Sequence, residues 1–383
     1  MKKIYNTIII GAGLAGLNAA RFLQEDTLLL DRKKEIGLPI RCAEGISLYA
    51  LQRENIEVQN NWISTKTRQV KKIMPNGTVL GEKQEIPYAF VIKKNKFEKY
   101  LASLVNSEII FEEKAIDFEQ KNNIWEVKTA RGNSYFCKYI VGADGPSSVV
   151  ARKIFNMVPE VIGAICYEVT LQNKIPTDEL QMYIGSNIIP QGYAWVFPLS
   201  PHSANIGILT KEKSLQSKLA KYFDQFLKNS IQTNYGEFIL KQNKSGAIPS
   251  GSFFDVITIN NAFLAGDAGG FTDPIFEGGM NMALLTGRLA AESINKDNPA
   301  LYSSAINSFP FTAKELLEAQ QIFYNFDEKT LNELGNLLDN KSTSFLKTKE
   351  GMQEFNTKKV LIENKDKLFR FFEIWEKAKK FLW

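Results

Sequence analysis

Cys42 lies in the segment IRCAEG (40–45), directly after Arg41, and it is one of only three cysteines in the 383-residue chain. A guanidinium group beside a thiol can lower the thiol pKa, which would equip Cys42 for proton transfer or for positioning a bound group. The single histidine, His202, argues against Ser-His-Asp hydrolysis and against His-ligated zinc. The wide cysteine spacing, with no Cys-x-x-Cys, excludes a disulfide scaffold and a cysteine-based metal cage. Cys42 is therefore the candidate catalytic residue, and no metal site is predicted.

Three glycines in GAGLAG (11–16) have the spacing of a dinucleotide-binding loop. Gly11 permits a tight turn, Gly13 lets the backbone approach a pyrophosphate, and Gly16 lets the next helix pack closely on the strand. Asp31, twenty residues after Gly11, is placed to bind a ribose hydroxyl. Together these residues predict a dinucleotide site.

The segments around the glycines have the periodicity that such a loop needs. YNTIII (5–10) is a β-branched run typical of a buried parallel strand, and TLLLD (27–31) is a second buried strand that ends in an acid. Between them, LNAARFLQ (17–24) has apolar residues at helical spacing. This order predicts a βαβ unit whose helix N-terminus offers free N–H groups to the pyrophosphate.

Two later stretches favour FAD over NAD as the dinucleotide. One is a strand-like run followed by a turn at Asp144, and the other is NAFLAGDAGG (261–270), a short strand followed by a glycine loop and a helix. This second stretch repeats the order of strand, acid, glycine loop and helix far along the chain. It therefore predicts that a second chain segment contacts the same cofactor. Asp267 is then placed to hold ribityl hydroxyls, while the amides around Gly279 and Met280 face the isoalloxazine ring.

This combination of an N-terminal G-x-G-x-x-G, a central Asp-Gly and a C-terminal Gly-Asp resembles the FAD-dependent oxidoreductases of the p-hydroxybenzoate hydroxylase fold. Within them, PIRCAEGIS (39–47) and YAWVFPLSPHSANIGI (193–208) are similar to segments of the geranylgeranyl reductases. Those enzymes use reduced FAD to saturate carbon–carbon double bonds of polyprenyl chains. The resemblance implies an α/β fold with a Rossmann-like FAD-binding domain, an inserted mixed-sheet substrate domain and a C-terminal helical region.

The motifs and the resemblance together imply a set of cofactor-binding residues. They lie in the glycine loop, after the second strand, in the cysteine loop and at the later returns of the chain: Gly11, Gly13, Ala15, Gly16, Asp31, Arg32, Arg41, Cys42, Ala43, Gly45, Asp144, Asp267, Gly279 and Met280. Lys94 stands where the family usually has an arginine, and as a point charge it can still serve the pyrophosphate. Ala115 is expected beside the adenine, through its backbone.

Cys42 has two interpretations in this family setting. It either helps to protonate the substrate or position the flavin, or it is a small side chain that contacts FAD mainly through its backbone. The chain departs from the family pattern at two glycines. Ala43 stands in a loop that usually reads C-G-E-G, and Leu209 replaces the second glycine of a G-x-G after the aromatic segment.

Tyr193, Trp195 and Phe197 alternate in the sequence, so they share one face of a predicted strand. Such a stripe is either sheet core or the wall of an apolar pocket, and the resemblance gives the pocket interpretation equal weight. An apolar wall suits a polyprenyl chain, which has no hydrogen-bonding groups. The strand begins a predicted hairpin whose turn, SPHS (200–203), leaves His202 exposed.

The order of the motifs predicts three regions. These are a discontinuous FAD-binding domain over 1–55, 90–154 and 259–300, a substrate-binding domain over 56–89 and 155–258, and a C-terminal helical region over 301–383. The last predicted helix combines lysines with aromatic residues as far as Trp383. Such a helix either lies at a membrane surface, as a peripheral contact, or packs over the substrate domain.

Composition and charge limit the partners. The formal net charge of +5 is too small to predict nucleic-acid binding. No stretch approaches the ~18 uninterrupted apolar residues of a spanning helix, and the N-terminus mimics a signal peptide only superficially, so a cytoplasmic protein is expected. The chain has one full G-x-G-x-x-G, so NAD(P)H bound transiently or a ferredoxin-like protein is the expected electron donor.

The leading hypothesis is an FAD-dependent reductase that saturates double bonds of a polyprenyl lipid or isoprenoid in lipid biosynthesis. The alternative is a flavin-dependent monooxygenase, hydroxylase or halogenase on the same scaffold. Halogenases of this fold usually carry a W-x-W-x-I-P box, where this chain has Tyr193 and Phe197. A non-catalytic flavin-binding module is a third class.

Overall fold

The computed structural model describes residues 3–251 and 253–382, so Trp383 lies outside it. The strands of the described residues, in chain order, are β1 (Ile4–Ile10), β2 (Thr27–Leu30), β3 (Gly45–Ser47), β4 (Ile63–Thr67), β5 (Gln69–Ile73), β6 (Val79–Leu80), β7 (Ala89–Ile92), β8 (Glu108–Ile110), β9 (Ala115–Lys121), β10 (Ile124–Thr129), β11 (Ser134–Gly142), β12 (Val161–Leu171), β13 (Glu179–Ile184), β14 (Gly192–Ser200), β15 (Ser203–Thr210), β16 (Phe238–Asn243), β17 (Gly246–Pro249), β18 (Thr258–Ile259) and β19 (Ala262–Leu264).

The α-helices of the same residues are α1 (Leu14–Phe22), α2 (Leu48–Arg53), α3 (Lys94–Ser103), α4 (Val149–Ile154), α5 (Leu219–Phe226), α6 (Thr233–Tyr235), α7 (Met280–Asn295), α8 (Ala300–Asn307), α9 (Ala313–Tyr324), α10 (Glu328–Leu337), α11 (Lys349–Phe355), α12 (Lys359–Glu363) and α13 (Lys365–Leu382). A π-helical segment at Leu227–Gln232 joins α5 to α6. Short 3₁₀ turns lie at Lys213–Lys218, Gly266–Gly269 and Thr343–Lys347.

The first sheet has the order β18-β19-β11-β1-β2-β8, and β10 and β9 extend it from β11. Its central strands β19, β11, β1, β2 and β8 are parallel. The β-branched run of β1 is buried on both faces, as a central parallel strand requires. The carboxyl ends of these strands meet at one edge, which is where open α/β sheets bind ligands.

The second sheet has the order β16-β12-β15-β14-β13-β5-β6, with β17 also paired to β12. It is antiparallel apart from the β13–β5 pair. The predicted hairpin is confirmed as β14–β15, and His202 in its turn is exposed. Gly207 lies opposite Trp195, and a Cβ there would collide with the indole ring and with the Ile165 carbonyl oxygen.

The predicted C-terminal helical region is confirmed, and α13 packs against α9. The buried side of α13 includes Leu368, Phe371 and Ile374, and the Phe371 ring stacks on Phe323 at 5.4 Å. This apolar side is therefore covered by protein, and a peripheral membrane contact stays a prediction. Among residues 3–251 and 253–382, no helix combines the length and the apolar character needed to cross a bilayer.

The α/β fold class is confirmed by the two large sheets and the helices around them. A third, three-stranded sheet, β3-β7-β4, includes strands from both of the predicted domains. The predicted domain boundaries therefore stay a prediction.

Candidate active site

A cleft of about 1030 Å³ lies between the carboxyl edge of the first sheet and the inner face of the second. Of the residues predicted from sequence, Gly16 alone does not line it. The others all do: Gly11, Gly13, Ala15, Asp31, Arg32, Arg41, Cys42, Ala43, Gly45, Lys94, Ala115, Asp144, Tyr193, Trp195, Phe197, Asp267, Gly279 and Met280. The fold thus brings segments from five distant parts of the chain to one cleft.

The three glycines have different surroundings. Gly11 has a φ of +104°, and a Cβ there would collide with the Ala143 carbonyl oxygen. A Cβ at Gly16 would collide with the Gly11 carbonyl oxygen, so Gly16 lets α1 approach β1. Gly13 differs, because a Cβ there would meet no atom within 4 Å. The open space at Gly13 is the cradle that a phosphate group needs.

The N-terminus of α1 is directed at this space. Gly13 is the N-cap residue of α1 and offers no side-chain cap, so the first amides of the helix lack that partner. Leu14 and Ala15, the first two helical residues, line the cleft. Unpaired amides at a helix N-terminus bind anions, so this end of the cleft suits a pyrophosphate.

Asp31 supports the glycine loop directly. It is 4% exposed, and its carboxylate accepts hydrogen bonds from the Ala12 amide (2.7 Å) and the Lys33 amide (2.8 Å). Ribose binding by Asp31 stays a prediction. Asp144 has a comparable local function, because it accepts from Ser148 Oγ (2.5 Å) and from the Val149 amide (2.6 Å) at the start of α4.

The second return of the chain brings Asp267 to the cleft. Its carboxylate accepts a hydrogen bond from Thr272 Oγ1 at 3.2 Å. Burial raises the Asp267 pKa, while Thr272 and the positive charge of Lys94 act in the opposite direction. Asp267 is thus close enough to Lys94 to feel its charge, as two parts of one cofactor site require.

A second helix N-terminus faces the cleft at α7. Gly279 is its N-cap residue, again without a side-chain cap, and Met280 is its first helical residue. A Cβ at Gly287 would collide with the Ala15 carbonyl oxygen, so glycine lets α7 pack tightly on α1. The two helices therefore hold their N-termini at fixed positions around the same cleft.

The expectation that Arg41 lowers the pKa of Cys42 was wrong. Burial raises the pKa of the Cys42 thiol, and the cation that opposes this effect is Lys94. The Arg41 side chain is exposed. Lys94 itself forms an ion pair with Glu98, and its pKa is raised because Glu98 and Cys42 outweigh the effect of burial.

Sequence reasoning missed a buried polar network next to Cys42. Lys244 Nζ donates to Glu44 Oε2 (2.6 Å) and to Asn205 Oδ1 (2.9 Å), and Asn205 Nδ2 donates back to Glu44 Oε2 (2.9 Å). These three side chains are at most 3% exposed. Glu44 Oε1 also accepts from the Lys94 amide (2.8 Å). The network ties the cysteine loop to α3 and to the second sheet.

The aromatic stripe forms one wall of the cleft. Tyr193, Trp195 and Phe197 are each 4–6% exposed and belong to one hydrophobic cluster with Met182. Burial raises the pKa of Tyr193 well above its usual range, so its hydroxyl is neutral. The wall therefore presents apolar surface without a charged group.

Three side chains brace the loop that precedes α7. The hydroxyls of Tyr193 and Tyr324 and the amide of Gln320 donate to successive carbonyl oxygens of residues 276, 275 and 274, at 2.6, 2.6 and 2.8 Å. Two of the three donors belong to α9. The C-terminal region thus helps to fix the loop that leads to the second helix N-terminus.

Glu277 lines the cleft, and its side chain is 2% exposed. It forms a buried ion pair with Lys211 on the neighbouring sheet. Asp273, which is fully buried in the same loop, has its pKa raised to about 6 by burial. The loop thus carries two buried ionisable groups, of which Glu277 lines the cleft.

These features fit FAD on structural grounds. A cradle at Gly13 and two uncapped helix N-termini suit a pyrophosphate and an electron-rich ring. An acidic side chain stands near each of the two loops, at Asp31 and Asp267, where a ribose and a ribityl chain carry hydroxyls. The apolar wall of Tyr193, Trp195 and Phe197 borders the same cleft.

Comparison with known proteins agrees with this site. A model of the geranylgeranyl reductase catalytic domain matches residues 162–246. A digeranylgeranylglycerophospholipid reductase of Methanosphaera stadtmanae is 31% identical over 375 residues, which cover 91% of this chain and 94% of that protein.

Solved structures show the same fold. A geranylgeranyl bacteriochlorophyll reductase-like protein of Thermoplasma acidophilum superposes with a TM-score of 0.81 at 22% identity, covering 96% of this chain and all of that one. A flavin-dependent brominase superposes less closely, with a TM-score of 0.68 at 14% identity over 96% of this chain and all of the brominase. Taken with the sequence relationship, the fold and the cleft identify the chain as a member of the geranylgeranyl reductase family of FAD-dependent oxidoreductases.

Proposed function

We propose that this protein binds FAD in the cleft and saturates carbon–carbon double bonds of a polyprenyl chain carried by a phospholipid. The proposal rests on one observation: the same cleft contains a dinucleotide cradle at Gly13 and a buried aromatic wall. The name of the Methanosphaera stadtmanae relative supports a prenylated glycerophospholipid as the substrate class.

When bound and reduced, FAD supplies a hydride for one carbon of the double bond. The protein contributes position and environment. The amides at the start of α1 bind the pyrophosphate, and Asp267 is placed to accept hydrogen bonds from the ribityl hydroxyls. Trp195 and its neighbours exclude water and hold an apolar chain against the reacting end of the cleft.

The second carbon of the double bond needs a proton, and we assign its supply to Cys42. The raised pKa keeps the thiol protonated at neutral pH, which suits a proton donor and not a nucleophile. We expect Cys42→Ser to lower the rate of double-bond reduction by about 10²-fold or more.

The pH dependence of this rate checks the assignment of Cys42. Because the folded-state pKa is raised, the wild-type rate is expected to stay level through neutral pH and to fall only above the ordinary thiol range. Single-turnover kinetics from pH 6 to pH 10 would measure this, with Cys137→Ala as the control cysteine variant. A Cys42→Ser enzyme that keeps the full wild-type rate would show that Cys42 acts through its backbone alone.

The electron donor and the membrane contact belong to the same proposal. NAD(P)H bound transiently, or a ferredoxin-like protein, is the donor class that fits a chain with one dinucleotide motif. A phospholipid substrate resides in a membrane, so a peripheral contact at the bilayer surface accompanies this assignment.

An anaerobic turnover experiment tests the function. The purified holoenzyme is reduced with dithionite, a geranylgeranyl phospholipid is added without oxygen, and the flavin spectrum and the product mass are recorded. Flavin reoxidation with a gain of two hydrogen atoms per reduced bond is expected. Flavin that stays reduced until oxygen enters, with product that gains one oxygen atom, would instead establish a monooxygenase. No product under either condition would indicate a non-catalytic flavoprotein.

A further inference from the structure

A row of side chains crosses the inner face of the second sheet. The strand register pairs Cys166 with Gly207, Gly207 with Trp195, Trp195 with Met182, and Met182 with Lys72. Residues paired across neighbouring strands project from the same face, so the row continues without a break from the cleft to Lys72. Cys166, Trp195 and Met182 line the cleft. The row spans four strand spacings, about 19 Å.

Lys72 ends this row in an apolar environment. Its ammonium group lies 5.7 Å from the centre of the Phe276 ring, and Phe276 also lines the cleft. Across residues 3–251 and 253–382 no carboxylate forms an ion pair with Lys72. The adjacent Lys71, on the opposite face, is instead paired with Glu179 at 2.5 Å. Lys72 is partly exposed and lacks a paired carboxylate among the described residues.

A second cation, Lys379, acts on the charge of Lys72. The pKa of Lys72 is lowered to about 8, first by burial and then by the charge of Lys379 on α13. Lys379 lies one turn before Leu382, which lines the cleft. Lys379 has one carboxylate contact, to Glu376 at 2.8 Å. Lys72 and Lys379 do not line the cleft themselves, but they adjoin Phe276 and Leu382, which do. Among the described residues one carboxylate, Glu376, pairs with these two lysines, which leaves a net positive charge beside the cleft.

We propose that Lys72, assisted by Lys379, binds the anionic phosphate group of the lipid substrate. The prenyl chain then lies along the row formed by Met182 and Trp195, and its double bonds reach the Cys42 end of the cleft. A phosphate oxyanion relieves the repulsion between the two ammonium groups and provides the partner that Lys72 lacks. This inference rests on the proposed function and names the recognition element of its substrate.

Direct binding measurements on the full-length holoenzyme test the proposal. Quenching of tryptophan fluorescence is titrated with geranylgeranyl phosphate and, separately, with uncharged geranylgeraniol. In Lys72→Gln the dissociation constant for the phosphate is expected to rise about 10- to 100-fold, because a hydrogen bond to a charged group is lost. The constant for the alcohol is expected to change less than about twofold.

Two further variants separate charge recognition from a general loss of structure. Lys66→Gln removes an exposed lysine of β4 and is expected to bind both ligands as wild type does. Lys72→Arg keeps the positive charge and is expected to restore most of the affinity for the phosphate. An equal loss for both ligands in Lys72→Gln, or no loss for either, would overturn the assignment.

Inorganic phosphate distinguishes a lipid site from a free-phosphate site. At millimolar concentration it is expected to displace geranylgeranyl phosphate only weakly, because it lacks the prenyl chain. Full displacement would overturn the assignment to a lipid headgroup. The binding readout is independent of turnover: a protein that binds the phosphate through Lys72 but reduces no double bond supports this inference and contradicts the proposed reductase function.

Discussion

The Lys244→Met variant is expected to lose about 3–5 kcal/mol of its free energy of unfolding. Lys244 is 3% exposed, and its ammonium group neutralises Glu44, which is 2% exposed. Removing the cation leaves a carboxylate buried against Asn205 without its counter-ion. A buried charge that loses its partner costs far more than a surface ion pair, which is worth at most about 1 kcal/mol.

Urea unfolding followed by circular dichroism measures this effect. Lys241→Met is the matched control, because Lys241 is an exposed lysine on β16 three residues away. It is expected to change the stability by less than about 0.5 kcal/mol. The double variant Glu44→Gln/Lys244→Met removes both charges and is expected to recover part of the loss. A Lys244→Met protein as stable as the Lys241→Met protein would contradict the network.

Gly16→Ala is expected to lower the stability of the fold, whereas Gly13→Ala is expected to lower the affinity for FAD. A Cβ at residue 16 would collide with the backbone of Gly11, so α1 must move away from β1 and the fold loses several kcal/mol. A Cβ at residue 13 meets no protein atom within 4 Å, so the apoprotein keeps its stability. The added methyl group occupies the phosphate cradle instead, and the affinity for FAD is expected to fall about tenfold or more.

Thermal unfolding of the apoproteins and FAD titration of each variant separate the two effects. The Gly13→Ala apoprotein should unfold at the same temperature as the wild-type apoprotein, yet it should need more FAD for saturation. Gly16→Ala should melt earlier even without FAD. Equal FAD affinity in Gly13→Ala and wild type would place the pyrophosphate away from α1.

Local sequence patterns predicted the parts of the site that depend on neighbours in the chain. The glycine loop, the acid at the end of β2 and the β14–β15 hairpin all follow from residues within about one element of each other. The return at Asp267 was also predicted, because it repeats the same strand, glycine and helix signals. Their placement around one cleft follows from the fold class.

The remaining parts depend on residues that only tertiary structure brings together. Glu44 and Lys244 are 200 residues apart, and an isolated lysine after a strand carries no local signal. The Cys42 environment shows the same limit. The nearest cation in the sequence, Arg41, is exposed. The cation that acts on the thiol is Lys94, which lies on α3 in a distant part of the chain.

The packing of α7 on α1 also bears on when the site is completed during protein synthesis. The Asn18 side chain in α1 donates to the Leu284 carbonyl in α7 across 266 residues of chain. At roughly 5–20 residues per second, a ribosome needs roughly 13 to 53 s to add those residues. Through that interval α1 can pack on β1, β2 and α3 but not on α7, and the nascent chain lacks the α7 side of the cleft. We therefore expect the complete cleft to form, and to bind FAD, only after α7 has been synthesised.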